Sequence, residues 1–117
     1  MLSIPGNVRV YLCTAATDMR KGFDGLHTLV LQVFGRDPLD GHLFLFVNRR
    51  RDRLKMLWWD RDGMALFYNR LEAGTYQLPA VAADSEGIEI DATDLAILLS
   101  GIDVQSARRR KRYSRVA

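Results

Sequence analysis

A single cysteine, Cys13, excludes an internal disulfide and any multi-cysteine zinc site. It lies in the apolar stretch VRVYLCTA, a setting for a buried, inert thiol, whereas a nucleophile needs an electropositive and accessible environment. No apolar run approaches the roughly 20 residues that span a bilayer, and the N-terminal MLSIPGNV lacks the basic and apolar regions of a secretory signal. A cytoplasmic location away from membranes is therefore expected. The two histidines, His27 and His42, have no base, nucleophile or ligand partner at a recognisable spacing, and no internal repeat is present. Acidic side chains are absent from residues 108–117, and basic ones from Glu72 to Asp103.

What is there is an ordinary globular composition, 48% apolar and 26% charged, in a chain of 117 residues that suits one domain with one core. The net charge of +3 conceals an asymmetry. Residues 108–117 hold six cations, while residues 1–107 hold 11 basic and 14 acidic groups. We expect residues 1–107 to form a single domain and residues 108–117 to be a disordered basic arm. Seven carboxylates occupy Glu72 to Asp103, so one end of the molecule suits a polyanion and the other a basic partner.

The stretch from Gly41 to Leu71, GHLFLFVNRRRDRLKMLWWDRDGMALFYNRL, contains three apolar runs of strand length, Leu43 to Val47, Leu54 to Trp59 and Met64 to Tyr68. The first connection carries Arg49, Arg50 and Arg51, and the second ends in Asp62-Gly63, a pair that favours tight hairpins because glycine accepts positive φ. This predicts a three-stranded antiparallel meander. Strand alternation places Leu54, Met56 and Trp58 on a core face, and Arg53, Lys55, Leu57 and Trp59 on a mixed face expected to meet a partner.

Elsewhere, Val8 to Leu12 alternates as a first strand. A helix is expected from Phe23 to Phe34, with the apolar stripe Phe23, Leu26, Leu29, Val30, Val33 and Phe34, a stop at Gly35 and a block at Pro38. Tyr76 to Leu78 reads as a short edge strand, residues 80–87 as a surface loop and Ile88 to Ile90 as a small extended piece. A second helix is expected from Thr93 to Ser100, capped by Asp91 or Thr93, with Leu95, Leu98, Leu99 and Ile102 as its stripe and Gly101 as its stop. The expected fold class is α+β: an antiparallel sheet of four or five strands with a central meander, and two short helices packed on one face. The other face would then await a second molecule.

Three blocks, TDMRKGFDGL (residues 17–26), HLFLFVNRRRDRLKMLWWD and LFYNRLE, followed by LLSGID, resemble the TnpB family, small accessory proteins of insertion sequence 66 type bacterial mobile elements. The resemblance runs from about Val8 to Asp103. It implies a role in DNA transposition beside a larger transposase that has the catalytic carboxylates, with no catalysis and no cofactor of its own. Asn69 stands where the family pattern commonly has lysine, and Leu78 where tryptophan often precedes the proline.

Each candidate site has a plain structural alternative. Arg49, Arg50, Arg51, Arg53 and Lys55 offer five cations within seven residues, and arginine's planar fork suits phosphate oxygens. Five phosphate contacts would give a log-log salt slope of about −4.5. The alternative is a solvated turn whose cations guard against edge pairing. Arg108, Arg109, Arg110, Lys111 and Arg112 form the second candidate, an arm that adds affinity without reading bases, or simply a solubilising terminus. Leu57 and Trp59 suit a partner interface or a stacking platform for bases, with core packing as the alternative.

In the family block Asp18, Arg20, Lys21, Gly22, Phe23, Asp24 and Gly25, the carboxylates suit capping of backbone N–H groups better than metal binding. A metal-dependent nuclease would need Asp18, Asp24, Asp60 and Asp62 to converge. The expected partners are DNA and the transposase, with the oligomeric state left open. A subunit that meets only protein, its arginines on transposase carboxylates, is the competing reading.

Overall fold

The computed structural model describes residues 6–79 and 85–100, together with the backbone of residues 102–103 and 108–109. Five strands make the main sheet: β1 (Val10–Cys13), β2 (Leu43–Val47), β3 (Arg53–Asp60), β4 (Gly63–Arg70) and β5 (Gly87–Ile90). Their order is β4-β3-β2-β1-β5. The meander β2-β3-β4 is antiparallel as expected, with Phe44 opposite Leu57 and Leu57 opposite Leu66. β5 is also antiparallel to β1. One pairing departs from the expected antiparallel sheet: β1 and β2 run parallel, Val10 opposite Leu43 and Cys13 opposite Phe46. Parallel neighbours need a crossover, and helix α1 (Phe23–Leu29) with the wider π-helical turn Val30–Phe34 supplies it.

The α+β class and the five strands stand, but the helices lie on opposite faces rather than together. Leu95 and Leu98 of α2 (Ala92–Ser100) pack with Val10, Leu12, Leu43, Leu45, Val47, Leu54, Met56 and Ile90. Leu26 of α1 and Val30 pack with Tyr11, Cys13, Phe44, Phe46 and Leu57 on the reverse side. The physical reason is visible in β1 and β2, whose residues are all buried: strands apolar on both faces need two covers. No bare face is left at the centre of the sheet.

The helix ends follow the expected chemistry. Gly35 takes the left-handed conformation, φ 61°, just past Phe34. Asp91 Oδ1 accepts the Asp94 N–H at 2.7 Å, which makes Asp91 the N-cap of α2. Phe23 departs from its expected stripe and is 48% exposed, because it sits in the first turn, ahead of the part of α1 that reaches the sheet. Residues 76–78 form no strand; Tyr76 is instead buried in the α2-side core, and Leu78 packs against it. Ile102–Asp103 (β6) and Arg108–Arg109 (β7) form a two-residue antiparallel ladder. Gly101 and most of the 80–87 loop lie outside the described residues, as do Arg110, Lys111 and Arg112. Among the described residues, no helix is long and apolar enough to cross a membrane.

Candidate functional site

The arginine tip is a built turn. Asn48 Oδ1 accepts the N–H groups of Asp52 and Arg53 at 3.1 and 3.0 Å, and Asn48 Nδ2 donates to Asp52 Oδ1 at 2.7 Å. Arg51 closes the turn with φ 60°, a left-handed conformation that a non-glycine residue adopts only where its surroundings hold it. Two backbone bonds supply that hold: the Arg51 carbonyl accepts from Tyr76 N at 2.6 Å, and the Asp52 carbonyl accepts from Leu71 N at 2.7 Å. With Asp52 engaged by Asn48, Arg49, Arg50 and Arg51 stand exposed. Among the described residues, none of the three has a carboxylate within ion-pair distance.

The 17–25 block docks beside this tip. Thr17 is buried, and its N–H donates to the Val47 carbonyl at 2.9 Å, continuing the end of β2. A turn follows in which Lys21 N donates to the Asp18 carbonyl at 3.1 Å. Asp18 accepts the Arg20 N–H at 2.9 Å and is gripped by the Arg20 guanidinium at 2.7 Å. The hydrogen bonds from the Arg20 side chain, then from its backbone, lower the Asp18 carboxyl from 3.8 to about 2. Asp18 therefore holds backbone and a neighbouring cation, the capping role expected of it, whereas Asp24 occupies the first turn of α1, where a negative charge favours the helix dipole. Gly22 precedes α1 as its N-cap residue. At Gly25 a side chain would meet Lys21 Cβ at 3.1 Å, so glycine lets the Lys21 stem lie across the helix.

Between the block and the tip lies a cleft of about 520 Å³, lined by Thr17, Asp18 and Met19 on one side and by Asn48, Arg49, Arg50 and Arg53 on the other. Two motifs separated in sequence thus form one surface. Sequence reasoning had no signal for this, because the contact depends on the parallel β1-β2 pairing that carries Thr17 to the end of β2.

Two expected contact residues are reassigned. Lys55 is only 6% exposed; its Nζ donates to the carbonyls of Met19 and Lys21 at 2.8 and 2.7 Å and lies 4.5 Å from the Tyr68 ring centre. It is a buried staple between β3 and the 17–25 block, with two of its three protons already committed, and not a free phosphate contact. Leu57 is fully buried under α1 and belongs to the core, not to an interface. Arg53 is half-buried and donates to Tyr68 Oη at 3.3 Å. Trp59 is half-buried opposite Met64. Trp58 is likewise half-buried, against the α2-side core. Asp18, Asp24 and Asp60 do not converge; among the described residues no three His, Cys, Asp or Glu side chains could hold one metal ion. Burial raises the Cys13 thiol above its ordinary value, in keeping with an inert role.

Residues 8–109 match the family described as IS66 Orf2 like protein. Two proteins of Sinorhizobium fredii are similar along most of their length, both carrying the description of uncharacterized protein. One, y4hO, is 44% identical over 103 residues, 88% of each chain. The other, y4jC, is 31% identical over 119 aligned positions covering all of both chains. No solved structure matches.

Proposed function

Because the chain belongs to the IS66 Orf2-like family, we propose that it is a non-catalytic accessory protein of insertion-sequence transposition that grips DNA phosphates with its arginine tip. The observation that carries the reading is the state of Arg49, Arg50 and Arg51: exposed, without an ion pair among the described residues, and presented by a turn whose own polar groups are satisfied internally. Preorganised guanidinium groups lose little freedom when they meet phosphate oxygens, and they fix register without reading bases. The cleft beside the 17–25 block gives the backbone a place to lie, and Arg53 lines its wall. Further cations of residues 108–112 would add affinity, and the transposase of the same element is the natural protein partner. Asp18 serves this surface by fixing Arg20 and the loop, with no part in bond cleavage.

The test is binding of the purified protein to an element-end duplex and to a random duplex across a salt series, for the wild type and for the Arg49→Ala, Arg50→Ala, Arg51→Ala protein. Three phosphate contacts predict a slope contribution of about −2.7, so the tip accounts for roughly a 40-fold loss of affinity between 50 and 200 mM salt. The triple variant should flatten the slope by that amount. Absence of binding by the wild type at low salt would transfer the arginines to the carboxylates of a protein partner.

A further inference from the structure

β4 is an outer strand of the main sheet, bonded to β3 on one side and, among the described residues, to nothing on the other. Such a strand presents a row of unpaired N–H and C=O groups, and chains ordinarily guard it with charge, proline, a bulge or shortness. β4 has none of these guards along its middle. It is eight residues long, its register with β3 is unbroken from Arg70 to Gly63, and its segment Met64 to Tyr68 carries no charge. Phe67, 39% exposed, lines an apolar groove of about 580 Å³ together with Leu54, Met56 and Trp58.

The two ends of the strand differ in charge. Beside Gly63 lies the turn Asp60-Arg61-Asp62, net negative; beside Arg70, which bridges Glu72, lie Arg53 and the three arginines of the tip with Asp52, still net positive. Antiparallel pairing of two identical strands brings unlike ends together, while parallel pairing would bring like ends together. A two-fold axis perpendicular to the sheet also requires facing residues to share a sheet face, so the centre must fall on one residue. Centred on Phe67, the register would set Asp62 against the partner's Glu72. Centred on Leu66, it sets Asp62 against the partner's Arg70, where it would join the bridge that Arg70 already makes to its own Glu72, and it sets Met64 against Tyr68 and Ala65 against Phe67.

We propose that the chain forms a homodimer through β4, antiparallel and centred on Leu66, joining two five-stranded sheets into one of ten strands. The partner is a second copy of this chain, and the surface is separate from the arginine tip, so the proposal stands whether or not that tip binds DNA.

Nuclease-treated full-length protein, free of DNA, tests it by light scattering after size exclusion, alongside Leu66→Lys and Leu66→Cys. The wild type should have the dimer mass. Leu66→Lys should halve it with an unchanged circular dichroism spectrum. Leu66→Cys, under mild oxidation, should cross-link into a covalent dimer, while Met64→Cys and Tyr68→Cys should cross-link when the two proteins are mixed and not when each is alone. The cysteine variants keep the test decisive if the lysine variant fails to fold. A monomer at every concentration, or a dimer whose Leu66→Cys copies do not cross-link, overturns the proposal.

Discussion

An ammonium group withdrawn from water must spend its protons, and Lys55 gives two of them to the Met19 and Lys21 carbonyls. Replacing it with methionine keeps the stem and removes the bonds. Lys55→Met should lower stability by about 2 kcal/mol in urea unfolding and speed amide exchange in the 17–22 loop, and under the proposed DNA-binding role it should leave the salt slope unchanged. A flatter slope would return Lys55 to the phosphate contacts. Asp18 gives a second test at this scale. Its folded value lies below the ordinary one, so its favourable interaction with Arg20 is fully present above about pH 4 and is lost as pH falls through about 2. In a carboxyl-detected NMR titration its midpoint should stand near 2 and rise toward 3.8 in Arg20→Gln. Alternation correctly put Lys55 and Leu57 on one face. It could not show that the face is covered, since a cation beside tryptophan resembles surface and its acceptors come from a loop more than 30 residues away.

The helix between β1 and β2 was legible in extent, because the apolar pattern opens at Phe23 and Gly35 ends it, although Phe23 itself stays exposed; its change of winding at Val30 was not legible. The wider turn belongs to a tertiary contact: Val33 and Phe34 come to rest over Gly87 of β5, where an added Cβ would stand 2.8 Å from Phe34 Cδ1 and 2.9 Å from Val33 Cγ1. Gly87→Ala must therefore push the turn off the strand, and a loss of about 1–3 kcal/mol should appear in chemical denaturation. The opposite placement of the two helices was in principle readable from LFLFV, residues 43–47, since an unbroken apolar strand needs cover on both faces. The alternating middle strand, read alone, points to only one covered face. The parallel pairing of β1 with β2 leaves no local mark, as it is set by the crossover rather than by any turn residue.

Over the whole molecule, charge is uneven along the chain but interleaved in the fold. Along the sequence, residues 72–103 hold seven carboxylates and no cation, yet the fold sets the two ends of that stretch against basic residues, Glu72 bridging Arg70 and Asp103 lying opposite Arg108. In the ten-stranded dimer the two tips would stand about 40 Å apart, from strand rise and spacing, close to the roughly 34 Å of one duplex turn. Both could then reach the same side of one DNA molecule. The strand order has a consequence in time as well as in space. β1 is bordered by β2 on one side and by β5 on the other, so the first strand to be synthesised finds its second neighbour only when residues 87–90 emerge. The meander can close from local contacts while β1 still waits, and a nascent chain halted before β5 carries an apolar strand with one edge open.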